Sequence, residues 1–176
     1  TFGEPLAGIT KGNIIYKSGS TEYDSYLIDE CYTTIFYDLY SDNTVNAVLL
    51  IKKETEEALD GNFGVTSDAL KISFERQSLD LANAARIKFN KSIFKWDDVI
   101  SEVARAHSVD MVQNHYFSHD NLEGESPFDR MDDGDIEYVM AAENIAAGQS
   151  SAIFAHEGLM NSIGHRNNIL GDCERL

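Results

Sequence analysis

Apolar and polar positions alternate with a period of two along the first part of the chain. Residues 13–16, 23–28, 32–40 and 44–51 are rich in Tyr, Ile, Val, Thr and Phe and are separated by Gly, Ser, Asp and Asn, which predicts four strands. Ser41-Asp42-Asn43 is a hairpin signal between the last two, so this segment reads as a small antiparallel sheet. Residues 52–68 are polar and carry the turn Gly61-Asn62-Phe63-Gly64, which predicts a linker. From Ser78 the period lengthens to that of helices. Leu79, Ala82, Ala85 and Phe89 fit one stripe, and Asp97-Asp98 cap a second helix with the apolar face Ile100, Val103, Ala104, His107 and Met111. Ser126-Pro127-Phe128-Asp129 joins an N-cap serine, a proline at the first helical position and an acid three residues after the cap, which predicts a short helix. Ser150 or Ser151 opens a further helix through Met160, and residues 143–148 read as a short strand. The change of period predicts a small antiparallel β module over residues 1–70 and an α+β domain over residues 71–176.

Charge narrows the partners. The 176 residues hold 30 acidic and 14 basic side chains, a net charge of −16, with the excess spread over both halves. Such a surface repels phosphate backbones and anionic headgroups, so neither nucleic acid nor a polybasic membrane anchor is expected. The longest clean apolar run, residues 47–51, is far below the ~18 to 20 residues that span a bilayer, so no transmembrane segment is predicted. Thr1 in place of Met, with no apolar signal core, predicts that any preceding segment was removed. Cys31 and Cys173 are too few and too far apart in sequence for a disulfide scaffold or zinc ribbon; two separate thiols and a single bridge both stay open.

All five histidines follow residue 100. His115 and His119 share the four-residue spacing of one helical face, which suits a metal only if the helix reaches Ser118. Ser118-His119-Asp120-Asn121 reads instead as a helix exit, leaving His115 in solvent. His107 lies on an apolar stripe and is expected to be a packed, hydrogen-bonded core histidine. His156-Glu157 lacks the second histidine of a zincin motif, and no G-x-S-x-G elbow, Walker loop or G-x-G-x-x-G occurs. The acidic run 129–137 lacks the ligand pattern of a calcium loop and reads as a solvated surface turn.

Three segments stand out together: Tyr116-Phe117-Ser118-His119-Asp120, Ala142-Glu143-Asn144-Ile145-Ala146 and the stretch from Asn161 to Leu170 containing Ser162-Ile163-Gly164-His165-Arg166. In these, and in the segment 104–111, the sequence from Ser78 onward resembles the CAP superfamily of cysteine-rich secretory, antigen and pathogenesis-related proteins, in its bacterial extracellular branch. Residues 1–70 look like the β-rich domain that often precedes it. The resemblance implies an α/β/α sandwich, an extracellular or cell-surface location and one cleft lined by His119, Glu143 and His165. A second family glutamate has no match; its position falls at about Ser162. Leu159 stands where the branch commonly has Trp, and Ile163 where it has Pro. The chain stops at Leu176, where similar domains continue into further strands, which implies an incomplete sandwich.

Two imidazoles and a carboxylate suit a divalent cation, so His119, His165 and Glu143 are the expected ligands of a weakly held zinc or similar ion. The same residues with Ser162 allow a hydrolase reading, in which metal-bound water or Ser162 is the nucleophile, a histidine the base and Glu143 its orienter. The competing expectation is a secreted binding module whose cleft, lined by His119, Glu143, Ser162 and His165, accepts a peptide, glycan, lipid or other small molecule of the cell envelope. Whether the protein is an enzyme stays open between these.

Overall fold

The computed structural model of the protein describes residues 14–19, 21–58 and 66–176. The backbone divides into two compact units, Thr1–Leu70 and Lys71–Leu176. In the first, β1 (Ile14–Gly19), β2 (Tyr23–Ile28), β3 (Cys31–Asp38) and β4 (Thr44–Lys52) form an antiparallel meander in sequence order. The β2–β3 reversal pairs Ile28 with Cys31, and Asp29 and Glu30 between them both take positive φ, the twist that a two-residue hairpin needs. Asp42 and Asn43 do the same between β3 and β4, where the sequence carries its hairpin signal. β2 and β3 are the inner strands. Leu27, Ile35 and Phe36 are buried, and Tyr37 and Tyr26 donate their hydroxyls to Asp24 Oδ2 at 3.0 and 3.2 Å. Burial and the Asp24 carboxylate push the Tyr37 phenol well above its ordinary range.

The segment expected as a linker is partly helical: β4 runs to Lys52 and a single turn, α1 (Lys53–Glu57), follows. The glycine turn at residues 61–64 and the start of the first expected strand at residue 13 lie outside the described residues. α2 (Asp68–Lys88) begins well before Ser78. Ser67 Oγ accepts the Leu70 N–H at 3.2 Å, and good helix formers continue the helix through a first half that buries little. An apolar stripe registers only where a helix packs into the core, and that starts at Leu79.

α3 (Asp98–Gln113), α4 (Pro127–Asp133), α5 (Ala152–Met160) and α6 (Ile163–Ile169) complete the second unit. Asp97 caps α3 by accepting the N–H groups of Val99 and Ile100, and those bonds hold its carboxyl below the usual range. Ser126 and Asp129 form the expected capping box on α4. The core gathers Ala82, Ala85, Phe94, Met160 and Ile169, with Leu79, Phe89 and Leu159 packed against it. Ala104, expected on the apolar face of α3, is exposed, whereas His107 and Met111 are buried.

Two polar devices lock the helices. The Arg105 guanidinium grips Glu75 through Nε and Nη2, both at 2.7 Å, tying α3 to α2. Arg86 is buried and donates to the carbonyls of Ser92, Ile169, Gly171 and Cys173 at 2.5 to 3.2 Å, with its guanidinium 3.8 Å over the Phe94 ring. One side chain thereby satisfies four carbonyls, the last of α6 and three in loops, that would otherwise be stranded.

The fold class is the expected α+β, although residues 143–148 form no strand; they run as irregular chain because no neighbouring strand pairs with them. Among the described residues of the second unit the β element is an isolated parallel bridge between Lys95 and Arg175, flanked by Lys95 N–H to Glu174 O and Leu176 N–H to Lys95 O. Cys31 and Cys173 are separate free thiols. No helix among the described residues is long and apolar enough to cross a membrane.

Candidate functional site

The site is built outward from α3. The helix stops at Gln113, and His115 enters the left-handed region at φ 57°, turning the chain away and leaving His115 exposed. His115 and His119 therefore do not share a helical face. His107, one turn and a half before the helix end, donates Nε2–H to the Ser118 carbonyl at 2.9 Å. The Tyr116 hydroxyl donates a short hydrogen bond to Asp110 Oδ2 and lies 3.5 Å from His107 Nδ1. That bond holds the Asp110 carboxyl below its usual range, while desolvation and Asp110 push the Tyr116 phenol up to about 12. Two side chains of a rigid helix thus fix the loop on the residues just before His119.

His119 donates Nδ1–H to Glu143 Oε1 at 2.8 Å, across 24 residues of sequence. The imidazole is half-exposed at 50%, whereas the Glu143 side chain is 19% exposed. The other carboxylate oxygen, Oε2, accepts Nη2–H of Arg130 at 2.8 Å. Arg130 in turn donates Nη1–H to the carbonyls of His119 at 2.8 Å and Glu125 at 3.0 Å. The triad His119–Glu143–Arg130 is a closed circuit of charge-assisted bonds in which each member holds the other two.

Arg130 went unread in the sequence, although it left a signal: it is the sole cation in the acidic run 129–137, and the capping box before it fixes where its helix starts. α4 can approach α3 because residue 134 is glycine. A Cβ there would stand 2.9 Å from Val103 Cγ2, closer than side chains approach.

His165 reaches the same segment through its backbone. Its carbonyl accepts Nδ2–H of Asn144 at 3.1 Å, while Asn168 donates to Asn144 Oδ1 at 2.8 Å and to the Glu143 carbonyl at 3.4 Å. These amides staple α6 to the Glu143–Asn144 loop, and the His165 ring is half-buried. Ser162 is the N-cap residue of α6, its side chain making no cap bond, and no hydrogen bond joins its hydroxyl to either histidine among the described residues. His156, the remaining histidine, is buried in α5, and desolvation pushes its pKa down to about 4.

A divalent cation would need a converging donor set. Among the described residues no group of three or more His, Cys, Asp or Glu side chains converges to hold one. Both oxygens of Glu143 are already engaged, one by an imidazole N–H and one by a guanidinium. The residues present do not fit a resident metal in this arrangement. An open groove of 770 Å³ is bordered by Asn144 and Asn168 but not by His119, Glu143, Ser162 or His165, so the polar triad is a separate surface feature.

Bound to Glu143 through Nδ1–H, a neutral His119 carries its free lone pair on Nε2. A half-exposed ring in that state offers solvent a fixed acceptor and base.

The chain is 40% identical over 101 residues to the uncharacterized membrane protein YlbC of Bacillus subtilis (strain 168), covering 57% of this chain and 29% of that protein. It is 41% identical over 98 residues to the uncharacterized protein YkwD of the same organism, covering 56% and 38%. The chain thus spans well under half the length of either relative. Among solved structures it resembles an extracellular protein containing a SCP domain from Bacillus anthracis str. Ames, with a TM-score of 0.76 and 30% identity over 86% of this chain and 53% of that one. A cysteine-rich secretory protein from Staphylococcus aureus subsp. aureus Mu50 shares the fold, with a TM-score of 0.63 and 16% identity over 91% and 60%. The family model of CAP, the cysteine-rich secretory protein family, matches residues 79–175, more than half of the 176, and the chain belongs to that family.

Proposed function

We propose that this protein is an extracellular binding module in which His119, oriented by Glu143 and Arg130, accepts a hydrogen bond from a hydroxyl or amide group of a cell-envelope peptide or glycan. The observation that carries this reading is the 2.8 Å bond from His119 Nδ1 to Glu143 Oε1 on a half-exposed imidazole. A carboxylate bond to one ring nitrogen fixes the tautomer and plane of the ring, so the ring loses little freedom when a ligand arrives. The net charge of −16 favours neutral or cationic ligands over polyanions. Extracellular placement is supported by the similarity to the Bacillus anthracis extracellular protein.

The test is a titration of 15N-labelled protein with a soluble muropeptide and with a neutral oligosaccharide. Saturable shifts of the His119 ring and of the Glu143–Asn144 amides, lost in His119→Ala, are expected with at least one of them. Shifts scattered over the surface, or unchanged in the His119→Ala protein, would sink the reading.

The same dyad favours one second reading. A carboxylate-oriented imidazole with a free Nε2 is the arrangement of a general base, so hydrolysis by an activated water is the alternative. Release of product from either probe, removed by Glu143→Gln in a protein of unchanged thermal stability, would promote it over binding alone.

A further inference from the structure

Arg130 is held more firmly than a surface guanidinium. Its side chain is 10% exposed, and its Nη atoms donate to three acceptors on two separate stretches of chain: His119 O and Glu125 O in the loop between α3 and α4, and Glu143 Oε2. A cation at that place performs the two electrostatic tasks a metal ion would perform there. It neutralises Glu143, which would otherwise be a half-buried carboxylate in a chain of net charge −16, and it ties the Glu143 loop to the His119 loop. A divalent ion reaching for His119 and Glu143 would have to displace the guanidinium or sit beside it. Displacement would take the guanidinium donor from the His119 carbonyl and leave the Glu125 carbonyl with the Asn121 N–H alone, and coexistence would set like charges within a few ångströms of each other.

We propose that Arg130 is the built-in cation of this site, occupying Glu143 in place of a divalent metal ion, so that His119 and Glu143 are held together without a metal. The claim concerns the same residues as the ligand-binding reading but not the ligand, and zinc alone tests it.

The experiment is titration of the protein with zinc chloride at neutral pH, followed by calorimetry and by the His119 ring resonances. The native protein is expected to show no saturable zinc uptake that moves His119. Arg130→Gln keeps amide donors for the neighbouring carbonyls and removes the charge; it is expected to bind zinc through His119 roughly 100-fold or more tightly than the native protein. Arg130→Lys keeps the charge and is expected to behave like the native protein. Saturable zinc uptake by the native protein that shifts His119 and disappears in His119→Ala overturns the proposal. So does an Arg130→Gln protein with an intact unfolding transition that gains no zinc. Should Arg130→Gln fail to fold, Arg130→Met serves in the same comparison, and the native titration is decisive against the proposal in either case. None of these outcomes depends on whether a muropeptide or oligosaccharide binds.

Discussion

The Nε2–H of His107 reaches the Ser118 carbonyl at 2.9 Å, so a buried side chain of α3 fixes the residue immediately before His119. The expected core histidine is therefore also the link between the helix and the site. Its neighbour Tyr116 is held by Asp110 from the next turn, and the two bonds together leave the loop little freedom to carry His119 away from Glu143.

Replacing His107 should accordingly affect both stability and the site. In His107→Leu the Ser118 carbonyl loses its donor, and unfolding in urea should show a loss of about 1 to 3 kcal/mol. The His119 ring should at the same time broaden or shift in NMR spectra. His107→Gln, which can still present an N–H, should recover part of both. A variant destabilised to this extent whose His119 resonance is unmoved would reduce His107 to a packing residue.

Gly134 offers a test of how α4 is brought to the site. The added methyl of Gly134→Ala would meet Val103 Cγ2 at 2.9 Å, and the strain of overpacking is about 1 to 3 kcal/mol. Relief requires α4 to back away from α3, which would lengthen the Arg130–Glu143 contact. The double variant Gly134→Ala, Val103→Ala should recover stability, and denaturation of the four proteins of this cycle measures the coupling. Independent, additive losses would show that the two positions do not press on each other.

His156 sets an acid limit on stability. Burial lowers its pKa in the folded state from 6.5 to about 4, so between those values the unfolded chain binds a proton that the folded one does not. Stability from this residue is fully present above pH 6.5 and is lost as pH falls from there toward 4. The shift corresponds to about 3 kcal/mol. Asp97, Asp110 and Asp129, whose carboxyls are held low mainly by hydrogen bonds, add losses only below the ordinary carboxylate range. Urea midpoints measured from pH 7.5 to 4 should fall for the native protein and fall less steeply for His156→Phe. Parallel curves would assign the acid limb elsewhere.

Local rules carried much of the fold. The four strands, the Ser41-Asp42-Asn43 reversal, the Asp97 cap and the Ser126–Asp129 capping box all rest on chemistry spanning a few residues, and each is visible in the order of side chains. The start of α2 was harder to see because its first half buries few side chains, and without burial no apolar stripe is written into the sequence. Residues 143–148 misled for a related reason: their alternation is that of a strand, yet a strand exists only where another pairs with it.

The sequence by itself determined most of the elements, the family, and the motifs in which His119 and Glu143 stand. Tertiary structure alone decided what else joins them. Arg130 lies 13 residues from Glu143 and 11 from His119, and Asn168 lies 24 from Asn144, separations set by irregular loops with no period to read. A side chain's partner across such a loop depends on where two helices come to rest. Here that place was set by His107, by the absence of a Cβ at Gly134 and by the four carbonyls gathered on Arg86.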